Sequence, residues 1–425
     1  MSVAVVRRYH ESTKHTPQSV RASGRMLDWD NRPHPFKEYV GLAAEPLDLE
    51  SELGRLLRFG AGVIRTRAYP GGDEYHFRTY SSAGALYPVE VYVAKEDGLF
   101  HFHPLELALR RVRPEAFATS LVLTGILWRT AWKYEARGYR HLWWDAGTML
   151  ANLLALAAVE GLPARVLVNF DDGRVDQLVG AEGRREAALC LLALGPEEAA
   201  RPPPEVGPLD LEVAPLSARE VDYPLAHEVH AASMDGEGDG AAADNSDLGL
   251  TREDLELTLR RRGSVREFAL EPLPGAELAG ILATALAPIP ADMPPYSQAY
   301  LVVNAVDGLE SGAYRFEPPD GFQLLRPGSF RREAGFLVLE QLLGARAAAT
   351  IFFLADLGRV FDAHGPRGYR WAQLEAGIRT GRVYIAAFAR QLGATASTFY
   401  DDEVTRFFGL DADVQPMLVV AVGRR

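Results

Sequence analysis

The apolar positions of this chain change period several times, and each change marks an element. VEVYVA (89–94) and AYLVVN (299–304) are rich in β-branched and aromatic residues, and each is followed after a polar break by a second such run, GLFHFHP (98–104) and GAYRFEP (312–318). The two pairs predict hairpins. LVLTGIL (121–127) and TIFFLADL (350–357) predict apolar, central strands. From Tyr139 to Val159 and from Tyr369 to Leu392 the apolar residues recur at helical spacing, which predicts two long helices. Thr251, with Asp254 three residues on and Leu255, Leu257 and Leu259 following, reads as a helix start. The first dozen residues predict a short helix within a polar, His- and basic-rich arm. Helices packed on a mixed, mostly antiparallel sheet make an α+β architecture.

The elements recur in order because the sequence does. RGYRHLWWDAG (137–147) returns as RGYRWAQLEAG (367–377), 230 positions on from Arg137 to Arg367. At the same offset Phe170-Asp171-Asp172 answers Tyr400-Asp401-Asp402, and each half closes on an apolar run, LCLLALG to Gly195 and MLVVAVG to Gly423. A unit this long is a duplicated domain, since solenoid repeats run roughly 20–50 residues. The predicted boundaries are an arm over 1–24, a first domain over 25–230, a linker over 231–247 and a second domain over 248–425. The linker stretch ASMDGEGDGAAADNSD is acidic, rich in Gly and Ala, and too poor in large apolar residues to offset its ordering entropy, which predicts flexibility.

Composition narrows the function classes. Hydrophobic content of 48% over 425 residues is ample for two cores. A net charge of −12 argues against a nucleic-acid or anionic-membrane partner. The single cysteine, Cys190, excludes an internal disulfide and a Cys-based metal cluster, and its apolar run makes it a buried structural thiol. No signal peptide is read at the start, and the longest apolar helical run, counted from Met149 to Val159, falls short of the ~18–20 residues that span a bilayer. A cytoplasmic location is expected. His10, His15, His101 and His103 form no metal-ligand frame, and no metal site is expected.

Two segments carry candidate chemistry. In Arg262-Gly263-Ser264-Val265-Arg266 the polar side chains alternate, so in extended chain they face one way. Two guanidinium forks and a hydroxyl suit a phosphate, the competing reading being a solvated helix end. In Ser81-Ser82-Ala83-Gly84-Ala85-Leu86, just before a strand, small residues let a flat ligand approach the backbone, unless the segment is only a tight turn into that strand.

RRRGSVREF, SSAGALYPVEVYV and RGYRHLWWDAG with its following NFDD resemble the nitroreductase-like flavoproteins, and more closely their SagB-type branch, the thiazole/oxazole dehydrogenases of modified-peptide biosynthesis. The resemblance covers nearly the whole chain and implies two fused nitroreductase-like domains forming an internal pseudo-dimer, as a monomer or a dimer of chains. It implies FMN in the cleft between them, with the phosphate on Arg262, Ser264 and Arg266 of one domain and the flavin lined by residues 81–86 of the other. It further implies that Ser397-Thr398-Phe399 approach the reactive ring edge, that Arg424 reaches the phosphate, and that the paired aspartates cap helices. The segments 127–140 and 357–370 align without a gap and set Lys133-Tyr134 opposite Ala363-His364. Lys133-Tyr134 matches the pair that in the branch removes a substrate proton as hydride leaves, a role that lowered pKa values would suit.

The halves have diverged at these positions. The offset of 230 sets Arg262, Ser264 and Arg266 opposite Arg32, His34 and Phe36, with Lys37 as a partial substitute for the lost arginine. The counterpart of the small-residue loop is Asp292-Met293-Pro294-Pro295-Tyr296-Ser297, which has no glycine. One cleft therefore keeps both motifs and the other has lost both. The expected function is FMN-dependent dehydrogenation of a small or peptidic substrate at one site per chain. The alternatives are an NAD(P)H-dependent nitro or quinone reductase, and a flavin- or partner-binding protein without turnover.

Overall fold

Strand order follows the duplication. The computed structural model describes residues 2–68, 74–114, 120–195, 205–234 and 248–425. In the first half, seven strands lie side by side in the order Glu45–Pro46, Ala108–Arg113, Gly98–His103, Val89–Lys95, Ser120–Ile126, Glu186–Leu194 and Ala164–Leu167. The six of the second half follow suit: Gly321–Pro327, Gly312–Glu317, Gln298–Val303, Ala349–Asp356, Val414–Gly423 and Gly393–Ser397. Both hairpins and both central strands are as expected. Every ladder of these two sheets is antiparallel. Among the described residues, the expected mixed character is confined to the short parallel pair Leu273–Pro274 with Val306–Asp307 and to the parallel bridges Val166–Ala291 and Ser264–Ala394.

The long helices Gly138–Val159 and Gly368–Ala389 pack on each other between the sheets, buried along almost their whole length. The glycine of the repeated Asp/Glu-Ala-Gly is where they cross. A Cβ on Gly147 would lie 2.4 Å from the Leu374 carbonyl oxygen and 2.6 Å from the Gly377 Cα, and one on Gly377 would lie 2.6 Å from the Trp144 oxygen. Backbone on both sides leaves nothing that can move aside. The apolar helical span is longer than the sequence count suggested: Leu127–Val159 is long and apolar enough to cross a membrane by composition, but its apolar window is 89% buried inside the protein. It is a core helix.

The repeated RGYR and Asp-Asp motifs meet crosswise. Arg137 and Arg140 of the first half pair with Asp401 of the second, and Arg367 and Arg370 of the second pair with Asp172 of the first. Burial alone would raise the Asp401 carboxyl; Arg137 and Arg140 overcome it and hold it well below the usual carboxylate range. The equivalent aspartates are thus Asp172 and Asp401, one residue out of the sequence register, and the left-handed glycines ending the two following helices, Gly180 and Gly409, keep this shifted spacing. Asp171 caps its helix as expected, accepting the Arg174 N–H, whereas Tyr400 occupies the cap position of the second and Asp401 is an ion-pair partner. Asp401→Asn leaves two buried guanidinium groups without their counter-charge, and a loss of about 3–5 kcal/mol in urea unfolding is expected.

Each half also has a leading helix that the fixed offset concealed. Arg140 donates to the His10 carbonyl and Thr13 Oγ1 beside helix Ser2–Ser12; Arg370 does the same with the His230 carbonyl and Ser233 Oγ beside helix Pro224–Ala232. His10 meets Tyr369 and His230 meets Tyr139. Helix Ser2–Ser12 of the predicted arm is therefore packed into the core, and Pro224–Ala232 bonds to Arg370 of the second half as well as to Tyr139 of the first. The predicted linker starts too early, since Ser233 is buried and the Met234 carbonyl accepts from Arg367; the rest of it, 235–247, lies outside the described residues.

Candidate active site

A cleft of about 740 Å³ is lined by both halves, within the ~300–1,000 Å³ usual for ligand sites. Its first-half wall includes the loop before strand Val89–Lys95. Asp145, on the core helix, anchors that loop by accepting the Ser82 hydroxyl at 2.5 Å and the Ala83 N–H at 3.1 Å. Burial pushes the Asp145 carboxyl up to about 7 against these bonds. Gly84 follows at φ 65°, a left-handed conformation suited to glycine. A Cβ there would meet Tyr134 Oη at 3.1 Å and Lys133 Nζ at 3.2 Å. The small-residue loop and the Lys-Tyr pair are thus one packed unit.

The second-half wall begins where helix Arg252–Arg261 ends, its Thr251 cap as expected. Arg262 is buried, and its Nε donates to the Thr79 carbonyl at 2.6 Å while Nη2 donates to those of Arg78 and Tyr80 at 3.1 and 2.9 Å. Much of this guanidinium therefore ties the halves together, leaving Nη1 for a ligand. Tyr384 gathers the rest: its hydroxyl lies 3.1 Å from Ser264 Oγ and accepts from Ser81 Oγ at 3.3 Å and from the Ala396 N–H at 2.7 Å.

Lys133 and Tyr134 shift in opposite directions. Partial burial, then Arg266 and Arg32, lower the Lys133 ammonium below the ordinary lysine value. Full burial, then Asp145, raise the Tyr134 phenol, contrary to the lowered value its expected role suggested. Tyr134 therefore stays protonated, stacked on His141 with ring centroids 4.0 Å apart. His141 is held neutral by burial and by Arg137.

At the pseudo-symmetric position the loop is held by the chain itself. Glu375, the counterpart of Asp145, accepts the backbone N–H groups of Tyr296 and Ser297, so the glycine-free loop is its structural equivalent as aligned. That loop is pinned down: Asp292 accepts the N–H groups of Val168 and Asn169, Val166 donates to the Pro290 carbonyl, and Arg379 and Arg382 donate to the carbonyls of Ala285, Ala287 and Pro288. Lys37 cannot replace the lost arginine, because it is buried in an ion pair with Glu186 and bonded to Tyr92.

The Nitroreductase family model matches residues 42–196 and again 259–424. The chain belongs to the Nitroreductase family. A protein of Methanocaldococcus jannaschii that carries a nitroreductase name is 30% identical over 183 residues, covering 40% of this chain and 91% of its own, as one copy of the duplicated unit would. The microcin B17-processing protein McbC of Escherichia coli is 28% identical over 148 residues, covering 28% of this chain and 54% of its own, and supports the SagB-type resemblance. A crystal structure from Anabaena variabilis, also given a nitroreductase name, superposes with a TM-score of 0.84 at 26% identity and covers 99% of both chains, so the two-domain arrangement is shared.

Within this nitroreductase architecture Ser81, Ser82, Ala83, Gly84, Ala85, Lys133, Tyr134, Arg262, Ser264, Arg266, Ser397 and Thr398 line the same cleft. Three expected residues do not. Leu86 and Phe399 are buried, Phe399 beside Trp144 and the Arg137 guanidinium, and Arg424 turns to the Pro272 carbonyl at 2.9 Å. The cleft also includes residues that the motifs left unmarked, among them Arg65, Arg67, Tyr75, Phe77 and Asp145. The Asp/Glu at 145 and 375 was in plain view within the repeat. Tyr384 carries no such signal.

Proposed function

We propose that the chain is an FMN-dependent dehydrogenase of the SagB-like branch, acting by hydride transfer on a small or peptidic substrate, with one FMN per chain. The observation that carries this is the convergence of the phosphate-type segment of one half with the glycine loop and Lys-Tyr pair of the other in the same cleft, while at the equivalent position loop 287–297 lacks glycine and is hydrogen-bonded to both halves. The residues fit the cofactor. Gly84 leaves room that a Cβ would take, and Arg266, Ser264 and Arg262 Nη1 form a donor set suited to a phosphate. Bound FMN would supply the two-electron, hydride-accepting chemistry.

Lys133 is the proton acceptor of this scheme, since its lowered pKa increases the neutral amine fraction near pH 7. Tyr134, kept protonated, is a hydrogen-bond donor for the substrate beside it. As hydride leaves one substrate carbon, the proton on the neighbouring atom that shares the new double bond passes to the Lys133 Nζ. Quantifying released flavin against peptide absorbance, after saturation with FMN and removal of excess, is expected to give close to one equivalent; a value near two refutes the one-site reading. Arg266→Ala is expected to weaken FMN by about ten- to a hundred-fold in a fluorescence titration, the loss of one charge-assisted contact of roughly 1.5–3 kcal/mol.

A second reading draws on the nitroreductase name of the archaeal relative: reduction of nitro compounds or quinones with NAD(P)H as donor. Anaerobic bleaching of the flavin by NAD(P)H favours it, and bleaching by an organic substrate alone favours the dehydrogenase.

A further inference from the structure

The core helices Gly138–Val159 and Gly368–Ala389 align end to end at the offset of 230, which sets Tyr384 opposite Leu154. Both side chains are buried, but only Tyr384 carries a hydroxyl, and that hydroxyl lies behind the cleft wall, bonded to Ser81, Ser264 and Ala396, which line it. The same half keeps Ser264 and Arg266, where the other has His34 and Phe36. Phenol, serine and arginine thus stand together in one half and are absent together from the other.

The count of hydrogens fixes the direction of these bonds. A phenol hydroxyl gives one hydrogen and accepts through two lone pairs. The Ala396 N–H, 2.7 Å away, can only donate, and Ser81 Oγ donates at 3.3 Å, so both lone pairs are taken. Tyr384 is 1% exposed, which leaves Ser264 Oγ, at 3.1 Å, to accept the phenol hydrogen. Ser264 keeps its own hydrogen, for which the described residues offer no acceptor, and its backbone is fixed by the parallel bridge to Ala394. We infer that Tyr384 is a positioning residue: its phenol turns the Ser264 hydroxyl into a donor aimed at the cleft, where it selects a group that only accepts, as a phosphate dianion does. Tyr384 thereby sets a preference for FMN over riboflavin, the same flavin without its phosphate. The inference rests on the flavin reading for the identity of the ligand, and not for the direction of the bonds.

Fluorescence titration of the full, flavin-stripped chain with FMN and with riboflavin tests it, the melting temperature being measured on each sample. Tyr384→Phe is expected to lower the preference for FMN by about tenfold, the scale of one charge-assisted contact, with riboflavin binding unchanged. Ser264→Ala should lower the preference as far, and the double variant no further. An unchanged preference in Tyr384→Phe, or an equal loss of both flavins, overturns the inference; so does a further loss when the two substitutions are combined. If Tyr384→Phe fails to fold because the Ala396 N–H loses its acceptor, the two serines decide the direction. The preference should then fall in Ser264→Ala and hold in Ser81→Ala, whose lost hydroxyl only donated to Tyr384, and any other pattern overturns the inference. A chain that binds neither flavin refutes the flavin reading instead. Calorimetry with inorganic phosphate on the same variants then decides this one: weaker binding in Tyr384→Phe and Ser264→Ala supports it, and equal or absent binding overturns it.

Discussion

Lys133→Ala is expected to remain yellow and folded while turnover falls by roughly 10²–10⁴-fold, the range for loss of a general acid–base group. The structure gives this loss a pH signature. The amine must be neutral to accept a proton, and burial with Arg266 and Arg32 nearby moves its pKa down from the ordinary lysine value of about 10.4. Activity of the unsubstituted protein should therefore rise with pH through a midpoint below that value, and the rise should vanish in Lys133→Ala. Tyr134→Phe keeps the ring stacked on His141 but removes the hydroxyl, so it should slow turnover without moving the midpoint toward a tyrosine titration. A lysine variant with full activity and an unchanged pH profile refutes the assignment.

Gly84→Val is expected to purify with little or no flavin, measured as the ratio of flavin to protein absorbance. Two physical costs coincide there. The left-handed φ of 65° is strained for a β-branched residue, and its Cβ would press on Lys133 and Tyr134 at little more than 3 Å. The loop must then shift, carrying Ser82 and Ala83 away from Asp145. Ala85 and Tyr87 already hold positive φ in the same loop, at 53° and 47°, so little slack remains to absorb the change. Gly84→Ala should show the same loss in weaker form; flavin content equal to the unsubstituted chain in both variants refutes the close-approach reading.

The sequence made the sheets, the core helices and most of one cleft wall legible because those features depend on periodicity and on side-chain types repeated at a constant spacing. It failed where spacing drifted. The leading helices lie 220 positions apart by His10 and His230, and the ion-pairing aspartates 229 apart by Asp172 and Asp401, so a fixed offset of 230 hid the first and misaligned the second. It also failed where function depends on direction. Arg424 was assigned by its place in the chain, but its guanidinium turns to Pro272, and Arg262 directs two nitrogens to backbone carbonyls. The ribbon of Val63–Ala68 with Glu74–Arg78 was invisible because nothing in VIRTRA or EYHFR distinguishes a cleft wall from any exposed hairpin. Only the fold brings Arg65 and Arg67 into the lining of the same cleft as Lys133.

The loop seated at the pseudo-symmetric position has a consequence for how such a protein can change. Two identical subunits carry every substitution at both of their shared clefts, so a change that suits one ligand is imposed twice. Here the halves are written separately in one chain, and a change at Lys133 is not repeated at Ala363, its counterpart in the other half. The other side, with Arg379, Arg382 and Asp292 gripping backbone, serves meanwhile as a standing brace for the shared interface. Drift in the working cleft can therefore accumulate without loosening the joint on which both halves depend.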